Sequence, residues 1–440
     1  MPPPLTRVLA SGLAALAMLP APVRADEVSQ QLELLEVKEG WLNSQQLLQL
    51  PDWLVLGLTY TAEPMANPIG GERFQAAWVG QTSLALSVGT GLARPASQWR
   101  ELDHWTISTT LTHNGGNPDF SSSIGALFPL QQVAYPRGLV LSEASVMRSS
   151  GTGWLAMRAG IVPLNPAFVT APVFDFYVHS AFNNTLNLSL DGLPINPYAS
   201  LGGIVSLRPT RELTLRYGWF DLSSTEPLAR WFGSAPPFSS SPGGNAQLLQ
   251  LNWQPASLAP AAGAPLQGCR SSAGVMRHRR GCRQPVAVQN QLPGALFSLG
   301  GYSTTQQAGG IYGSATWRSG LPLGLDERLW IGGAWSPNEG GSIGPTFLAG
   351  GLVVQGPLPG RPMDVLVLGA GRAGLNPNRN ASRSGAWPSA YEGMVELGYQ
   401  LQLNRSLALQ PSLQWIVNPS GADRPLPGIL AAGLQLTFSF

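Results

Sequence analysis

Catalytic chemistry has few candidate residues in this 440-residue chain. A hydrolytic nucleophile needs a histidine within reach, and the sequence offers four: His104, His113, His179 and His278. None of them lies in a recognisable catalytic motif. The sequence therefore predicts no catalytic residues, no metal site and no cofactor, and an enzyme is only a remote alternative.

The N-terminus carries an export signal. Arg7 precedes an apolar run at residues 8–19, and small residues lead to Ala25. This pattern is typical of a cleaved secretory signal peptide, and the run is shorter than the 20 or so residues that a transmembrane helix needs. We predict a signal peptide over residues 1–25, followed by a short periplasmic segment at residues 26–50.

The only cysteines are Cys269 and Cys282. An even pair in an exported chain predicts one disulfide that closes a short loop. A zinc site is the less favoured alternative, because His278 is the only histidine nearby. The pair belongs to an insertion at residues 256–293 that also contains a basic run at residues 277–280.

Charge is unusually sparse along the chain. Charged residues make up 11% of the sequence, against about 25% in an average soluble domain. The net charge of +2 falls to zero once Arg7 and Arg24 leave with the signal peptide, so the sequence predicts no nucleic-acid partner. A barrel surrounded by lipid needs a nearly uncharged outer face, and membrane lipid is therefore a predicted partner.

The last segment shows most clearly which elements position the polar residues. Ala432, Leu434, Leu436, Phe438 and Phe440 fall on one face, and smaller or polar residues fall on the other. This alternation is typical of a transmembrane β-strand. The terminal aromatic pair, Phe438 and Phe440, resembles the signal by which the bacterial barrel-assembly machinery recognises its substrates.

The same alternation recurs in segments of about ten residues. We predict an all-β fold over residues 51–440: a transmembrane antiparallel β-barrel of about 16 strands with short periplasmic turns and long extracellular loops. The insertion at residues 256–293 falls on the short-turn side, which means either a missed strand or a true periplasmic insertion. Barrels of this size enclose an aqueous channel. Strand centres are expected near Trp53, Ala77, Thr106, Ala144, Met157, Gly202, Leu215, Leu249, Leu299, Ser314, Ile331, Gly351, Val367, Val395, Leu409 and Leu434.

Several polar side chains are directed into the lumen by this alternation. A charge on the lipid face would cost roughly 2–4 kcal/mol near the midplane, which favours their inward placement. Each of them either pairs across the lumen for structural reasons or contacts a passing solute. The pore-lining candidates are Glu143, Arg158, Arg216, Arg318, Glu392, Glu396, Gln410 and Gln414.

One long segment, residues 165–196, is a candidate for a constriction loop. It is too long for a simple turn and is rich in aromatic residues, which suits stacking against sugar rings. The same side chains could instead pack the loop against the barrel wall. The candidates are Phe168, Asp175, Phe176, Tyr177, His179 and Phe182.

A further set of residues stands out by its order and spacing: Gly70 and Gly71, residues 158–160, Phe168, residues 181–183, residues 197–207, residues 392–396, Tyr399, Gln410, Pro411, Gln414, Asn418 and Pro419. In these residues the chain resembles the bacterial carbohydrate-selective porin family, the OprB-type porins. The resemblance implies a 16-stranded outer-membrane channel through which small hydrophilic solutes, typically sugars, diffuse. A homotrimer is one assembly compatible with it. Two features depart from the family pattern: the near absence of lysine, with Lys38 alone, and the cysteine-bearing insertion.

Three other functions stay open at this stage. A general, anion-preferring or inorganic-ion pore is favoured if the inward arginines cluster without carboxylates opposite them. A structural or adhesive barrel would have a plugged lumen and longer outer loops. An outer-membrane enzyme is the remote alternative already named.

Overall fold

A computed structural model describes residues 48–440, apart from residues 52, 91–103, 151–152, 184–190, 235–242, 256–293, 307, 320–324, 338–343, 360, 362, 377–388 and 405. Within these residues the chain forms sixteen strands. They are β1 (Leu54–Ile69), β2 (Ala76–Gly89), β3 (His104–Gly116), β4 (Gly138–Ser149), β5 (Leu155–Pro163), β6 (Ala199–Leu207), β7 (Leu213–Asp221), β8 (Asn245–Trp253), β9 (Ala295–Thr304), β10 (Gly309–Arg318), β11 (Asp326–Trp335), β12 (Thr346–Gln355), β13 (Val365–Gly374), β14 (Tyr391–Gln402), β15 (Leu407–Val417) and β16 (Ile429–Ser439).

The strands form one closed barrel in which each strand pairs antiparallel with its neighbours in sequence. The first strand closes the barrel against the last, with Thr59 opposite Ser439 and Ala66 opposite Ala432. Closure leaves no unpaired sheet edge, which is what a strand-built structure in lipid requires. The predicted fold of a 16-stranded antiparallel barrel is confirmed.

The alternating sequence explains why these segments form a barrel wall. Along β15, Leu413 and Trp415 are exposed on the outer face, whereas Gln410, Ser412 and Gln414 are buried on the inner face. Successive side chains of a strand point to opposite faces, so apolar residues meet lipid and polar residues meet the lumen. Exposed tryptophans lie near the strand ends, as expected of interfacial girdles; they include Trp53, Trp105, Trp154, Trp219, Trp253, Trp335 and Trp415.

Short helices occur only in the connections of the described chain. They are α1 (Phe120–Ser123), α2 (Ser180–Asn183) and α3 (Thr225–Trp231), with 3₁₀ turns at Pro172–Phe176 and Leu222–Ser224. Within the described residues, none of the helices has the length and apolar character to cross a membrane.

The two ends of the barrel differ in the length of their connections. One end has tight turns such as residues 208–212 and 403–406, and the other carries long connections such as residues 117–137 and 164–198. The insertion joins β8 to β9 at the short-turn end. Trp253 lies opposite Phe297, so the two strands are direct neighbours and leave no place between them for a further barrel strand.

Three features expected from the sequence lie outside the described residues. They are the signal peptide at residues 1–25, the start of the segment at residues 26–50, and the insertion at residues 256–293 with its cysteines. They stay predictions.

An ion pair fixes the turn between β12 and β13. The Arg361 guanidinium donates hydrogen bonds of 2.7 and 2.8 Å to the Asp364 carboxylate, which also accepts one from the Tyr399 hydroxyl at 2.9 Å and one from the Gln402 N–H at 3.0 Å. Burial alone would raise the pKa of the Asp364 carboxyl, but these hydrogen bonds outweigh it and lower that pKa below its usual value. The turn is therefore held by an ionised carboxylate.

Candidate functional site

Two of the long connections fold into the barrel and line its interior. Loop A is residues 117–137, between β3 and β4, and loop B comprises the described residues 164–183 and 191–198, between β5 and β6. Their large apolar side chains are buried rather than exposed to water, so the loops lie against the inner wall. The buried side chains include Phe120, Ile124, Phe128 and Leu130 in loop A, and Phe168, Phe174, Phe176, Tyr177 and Phe182 in loop B.

Loop B begins its path along the wall at β7 and β8. The Arg216 guanidinium of β7 donates a hydrogen bond to the Ala167 carbonyl at 2.6 Å, and the Val169 N–H donates one to the Gln250 side chain of β8 at 2.9 Å. Arg216 is thus directed inward as the sequence alternation requires. This hydrogen bond goes to the backbone of loop B.

Farther along, loop B contacts β11 to β13 through its aromatic residues. The Phe174 ring meets the Trp330 ring edge-on, with centroids 5.0 Å apart. The fully buried Tyr177 hydroxyl accepts a hydrogen bond from Trp330 Nε1 at 2.8 Å and donates one to the Leu368 carbonyl at 3.0 Å. Burial strongly raises the pKa of Tyr177, so its hydroxyl keeps its proton and acts as a donor.

Inward-facing glycines make room for these rings. A Cβ atom at Gly369 would lie 2.7 Å from the Tyr177 ring, and one at Gly371 would lie 2.9 Å from the Phe182 ring. Both distances are well inside van der Waals contact. The high glycine content of the chain therefore has a local cause on this wall: backbone and aromatic rings approach too closely for a side chain to intervene.

Two carboxylates of β14 hold the backbone of the loops. Glu396 accepts hydrogen bonds from the N–H groups of residues 178 and 179, both at 2.9 Å. Glu392 accepts them from the N–H groups of residues 127 and 128, at 2.9 and 3.1 Å. Both glutamates are fully buried, so each carboxylate contacts a loop and not open water.

Two amides of β15 complete this arrangement. Gln410 Nε2 donates a hydrogen bond to the Phe176 carbonyl of loop B at 2.7 Å, and Gln414 Nε2 donates one to the Leu130 carbonyl of loop A at 2.9 Å. We call Glu392, Glu396, Gln410 and Gln414 the clamp. All four were pore-lining candidates; they face the lumen and lie beneath the loops.

A further acidic residue, Glu63 of β1, also binds the backbone of loop A. It is not among the residues predicted from the sequence. It is fully buried and accepts hydrogen bonds from the Val133 N–H at 3.1 Å and from the Gln435 amide at 2.6 Å. The alternation could have found it, since Leu56 and Leu58 place odd-numbered residues of β1 inward. The sequence prediction also did not include the inward position of loop A. The apolar residues of this loop were the signal that could have indicated it.

The two loops also contact each other. In loop B, Ser180 donates a backbone hydrogen bond to the Pro129 carbonyl at 3.2 Å and a hydroxyl hydrogen bond to the Gln131 carbonyl at 2.6 Å. Both acceptors belong to loop A. The loops therefore form one continuous inner layer from β7 round to β1.

The inner face of β2 to β5 keeps partly accessible polar side chains. Arg158 of β5 forms an ion pair with Glu143 of β4 at 2.7 Å, and about 15% of each side chain is exposed. Hydroxyl pairs connect β2 with β3, at 3.1 Å for Ser83 with Thr112 and 2.9 Å for Ser87 with Ser108. This open face carries both signs of charge and the partly exposed hydroxyl groups of Ser83 and Ser108, whose partners Thr112 and Ser87 are buried.

The remaining candidates are spread over different surroundings. Arg318 lies at the short-turn end of β10, half exposed and paired with Asp326 at 2.8 Å. Asp175 is exposed on loop B. His179 is fully buried, and burial lowers the pKa of its imidazole to about 3, so it is neutral at ordinary pH. Phe168, Phe176 and Phe182 are buried within the inner layer.

No cluster of three histidine, cysteine, aspartate or glutamate side chains in the described chain could hold a metal ion. The structure therefore offers no metal site of this kind among the described residues. What it offers is a water-facing strip of polar side chains beside two loops that reduce the cross-section of the lumen.

Comparison with known proteins places the chain among porins. The sequence pattern of the carbohydrate-selective porin, OprB family, matches residues 97–440. The high-pH structure of Pseudomonas putida OprB is 17% identical, with a TM-score of 0.68, and the match covers 90% of this chain and 96% of that one. The low-pH structure of the same protein is 16% identical, with a TM-score of 0.51 and coverages of 90% and 95%.

A more distant likeness is to an anion-selective porin from Comamonas acidovorans, at 10% identity and a TM-score of 0.50, covering 88% of this chain and 99% of that one. No curated relative matches the sequence. At these identities the solved structures show a shared fold, and the family match carries the assignment.

Proposed function

Because the chain belongs to the carbohydrate-selective OprB porin family, and is therefore a bacterial outer-membrane porin for small hydrophilic solutes, we propose that carbohydrates diffuse passively along its open inner face. Porins of this family and fold are non-enzymatic channels, and we propose that this chain likewise performs no chemistry. The observation that carries the proposal is the strip of hydroxyl groups and the Arg158–Glu143 ion pair on β2 to β5.

The chemistry of this strip suits neutral, hydroxyl-rich solutes. A serine or threonine hydroxyl both donates and accepts hydrogen bonds, so the partly exposed Ser83 and Ser108 can exchange bonds with water for bonds with sugar hydroxyls. Arg158 and Glu143 add charge-assisted donors and acceptors. Because their charges cancel, they orient a polar solute without attracting an ion of either sign.

The same pairing weighs against the anion-preferring alternative. That alternative requires inward arginines without opposing carboxylates. Arg158 has Glu143 at 2.7 Å and Arg318 has Asp326 at 2.8 Å. Pore selectivity follows the charged and hydrogen-bonding groups that line the channel, and in both of these pairs the arginine is opposed by a carboxylate.

Planar-bilayer recording of the purified, refolded protein tests the proposal. The expected result is a steady pore with weak ion selectivity whose current is blocked by sugars at millimolar concentration. Arg158→Gln should make the pore more cation-selective and Glu143→Gln more anion-selective, and each should weaken sugar block. Arg230→Gln, which removes an exposed charge from α3, is the matched control and should change neither property. Anion selectivity without sugar block would favour the ion-channel alternative.

The partners predicted from the sequence complete the proposal. We propose that lipid covers the apolar outer face and that the barrel-assembly machinery recognises Phe438 and Phe440 at the end of β16. The exposed Phe438 ring on the outer face and the Phe440 backbone pairing with Leu58 at 2.8 Å in both directions support this. Replacing Phe440 by alanine should slow barrel assembly in cells. Native mass spectrometry of the protein in detergent tests the homotrimer.

A further inference from the structure

The clamp holds each loop through one acceptor and one donor. Loop B has its N–H groups bonded to Glu396 and its Phe176 carbonyl bonded to Gln410, and loop A has the equivalent bonds to Glu392 and Gln414. We infer that the clamp residues are positioning residues that fix loops A and B as a single unit and thereby set the cross-section of the pore. This inference rests on the proposed channel function.

The strand geometry places the clamp at three heights in the lumen, with Glu392 and Gln410 on opposite sides of the level that Glu396 and Gln414 share. Glu396 of β14 lies directly opposite Gln414 of β15. Glu392 and Gln410 each lie four residues away along their own strands, a distance of about 13 Å at the usual strand rise. Each loop is thus tied to both strands, with its acceptor on β14 and its donor on β15, and the ties overlap along the barrel axis.

Burial decides between a positioning role and direct contact with solute. The two glutamates and Gln414 are completely buried, and Gln410 is 2% exposed. A solute in the pore cannot touch these atoms while the loops are seated. Any effect of the clamp on transport must therefore act through the loops.

The chemistry of the clamp makes the seating strong. Each glutamate accepts backbone N–H hydrogen bonds on both of its side-chain oxygens. The N–H groups that they satisfy are buried and would otherwise lack a partner. Because Ser180 of loop B donates to two carbonyls of loop A, displacement of one loop disturbs the other.

Isosteric variants test the clamp. In Glu396→Gln and Glu392→Gln, the amide keeps one acceptor but turns an NH₂ group toward a backbone N–H. We expect at least a tenfold rise in the fraction of time spent at a higher-conductance level, which corresponds to about 1.4 kcal/mol. Sugar block should weaken in parallel. Glu226→Gln on α3 removes a carboxylate that pairs with the exposed Arg230 side chain and serves as the matched control.

Amide hydrogen exchange provides a readout that does not depend on any solute. Exchange should accelerate in the segments 127–133 and 176–182 of both glutamate variants, while the barrel keeps its resistance to unfolding in detergent. If the glutamate variants do not assemble, Gln410→Met removes a neutral donor without changing charge and should give the same two signals.

Three results would overturn the inference. The first is an assembled variant with wild-type conductance and wild-type exchange. The second is accelerated exchange confined to the loop whose own carboxylate was replaced, which would show that the loops are not one unit. The third is an equal effect of Glu226→Gln. Failure of sugar block in the wild-type protein would instead refute the proposed carbohydrate function and leave the exchange test of the clamp intact.

Discussion

The hydroxyl of Tyr177 is a single group whose removal should loosen loop B measurably. Tyr177→Phe deletes the acceptor of the buried Trp330 N–H and the donor to the Leu368 carbonyl. The ring itself stays, so the packing against Phe182 and the wall glycines is kept. The variant therefore isolates the hydrogen bonds from the apolar contacts.

The expected cost follows from these contacts. Leaving a buried donor without a partner costs about 1–3 kcal/mol, and a hydrogen bond contributes about 1 kcal/mol net. We expect Tyr177→Phe to weaken the seating of loop B by about 2 kcal/mol or more, a factor of about 30 in the equilibrium between seated and displaced loop. The hydroxyl is fully buried, so water cannot replace it without the loop moving.

Two measurements check this result on the same protein. Urea unfolding in lipid vesicles gives the change in the free energy of unfolding, and single-channel recording gives the occupancy of the higher-conductance level. Tyr217→Phe is the control, since its hydroxyl bonds to Gln247 at 3.2 Å on the exposed outer face; a surface change of this kind should stay within about 0.5 kcal/mol. Equal effects of the two variants, or an unchanged channel in Tyr177→Phe, would refute the reasoning.

Three further predictions concern packing and pH. Gly369→Ala places a methyl group 2.7 Å from the Tyr177 ring; overpacking of this kind costs about 1–3 kcal/mol and should lower the urea midpoint and raise the conductance level. The depressed pKa of Asp364, held by Arg361, means that its stabilisation is present above the unfolded-state pKa of about 3.9 and is lost as the pH falls further; in urea titrations against pH, Asp364→Asn should remove that acid limb. Burial lowers the pKa of His179 to about 3, so between about pH 6.5 and 3 its imidazole binds a proton only in the unfolded chain. The free energy of unfolding should therefore decrease as the pH falls through this window. His179→Gln should flatten that decrease in the same titration.

The barrel could be predicted from the sequence because a lipid-facing strand records its environment in every second residue. The stripe from Ala432 to Phe438 shows this most clearly, and it predicted which side chains of β16 face outward. The strands of the whole barrel follow from the same rule. Alternation is a local property, so it needs no knowledge of long-range contacts.

The interior of the barrel could be predicted only in part, because alternation gives the direction of a side chain and not what covers it. Glu143 and Glu396 carry the same inward signal, yet one lies on the open face and the other beneath loop B. The difference depends on the path of the loops, which is set by contacts such as that between Tyr177 and Leu368 across 191 residues of sequence. No spacing rule reports a contact of that kind.

The covered and open faces of the lumen are two solutions to one physical problem. A buried backbone polar group must find a partner. On the covered face the clamp residues and Glu63 are these partners, and their side chains form hydrogen bonds with the backbone of the loops. On the open face, Arg158 and Glu143 satisfy each other and stay partly exposed to water. Only the second group can exchange partners with a solute at low cost, because its members need not release a loop to do so. The glutamates that are buried beneath the loops should therefore determine the width of the pore. The partly exposed Arg158–Glu143 ion pair should determine which solutes pass through it.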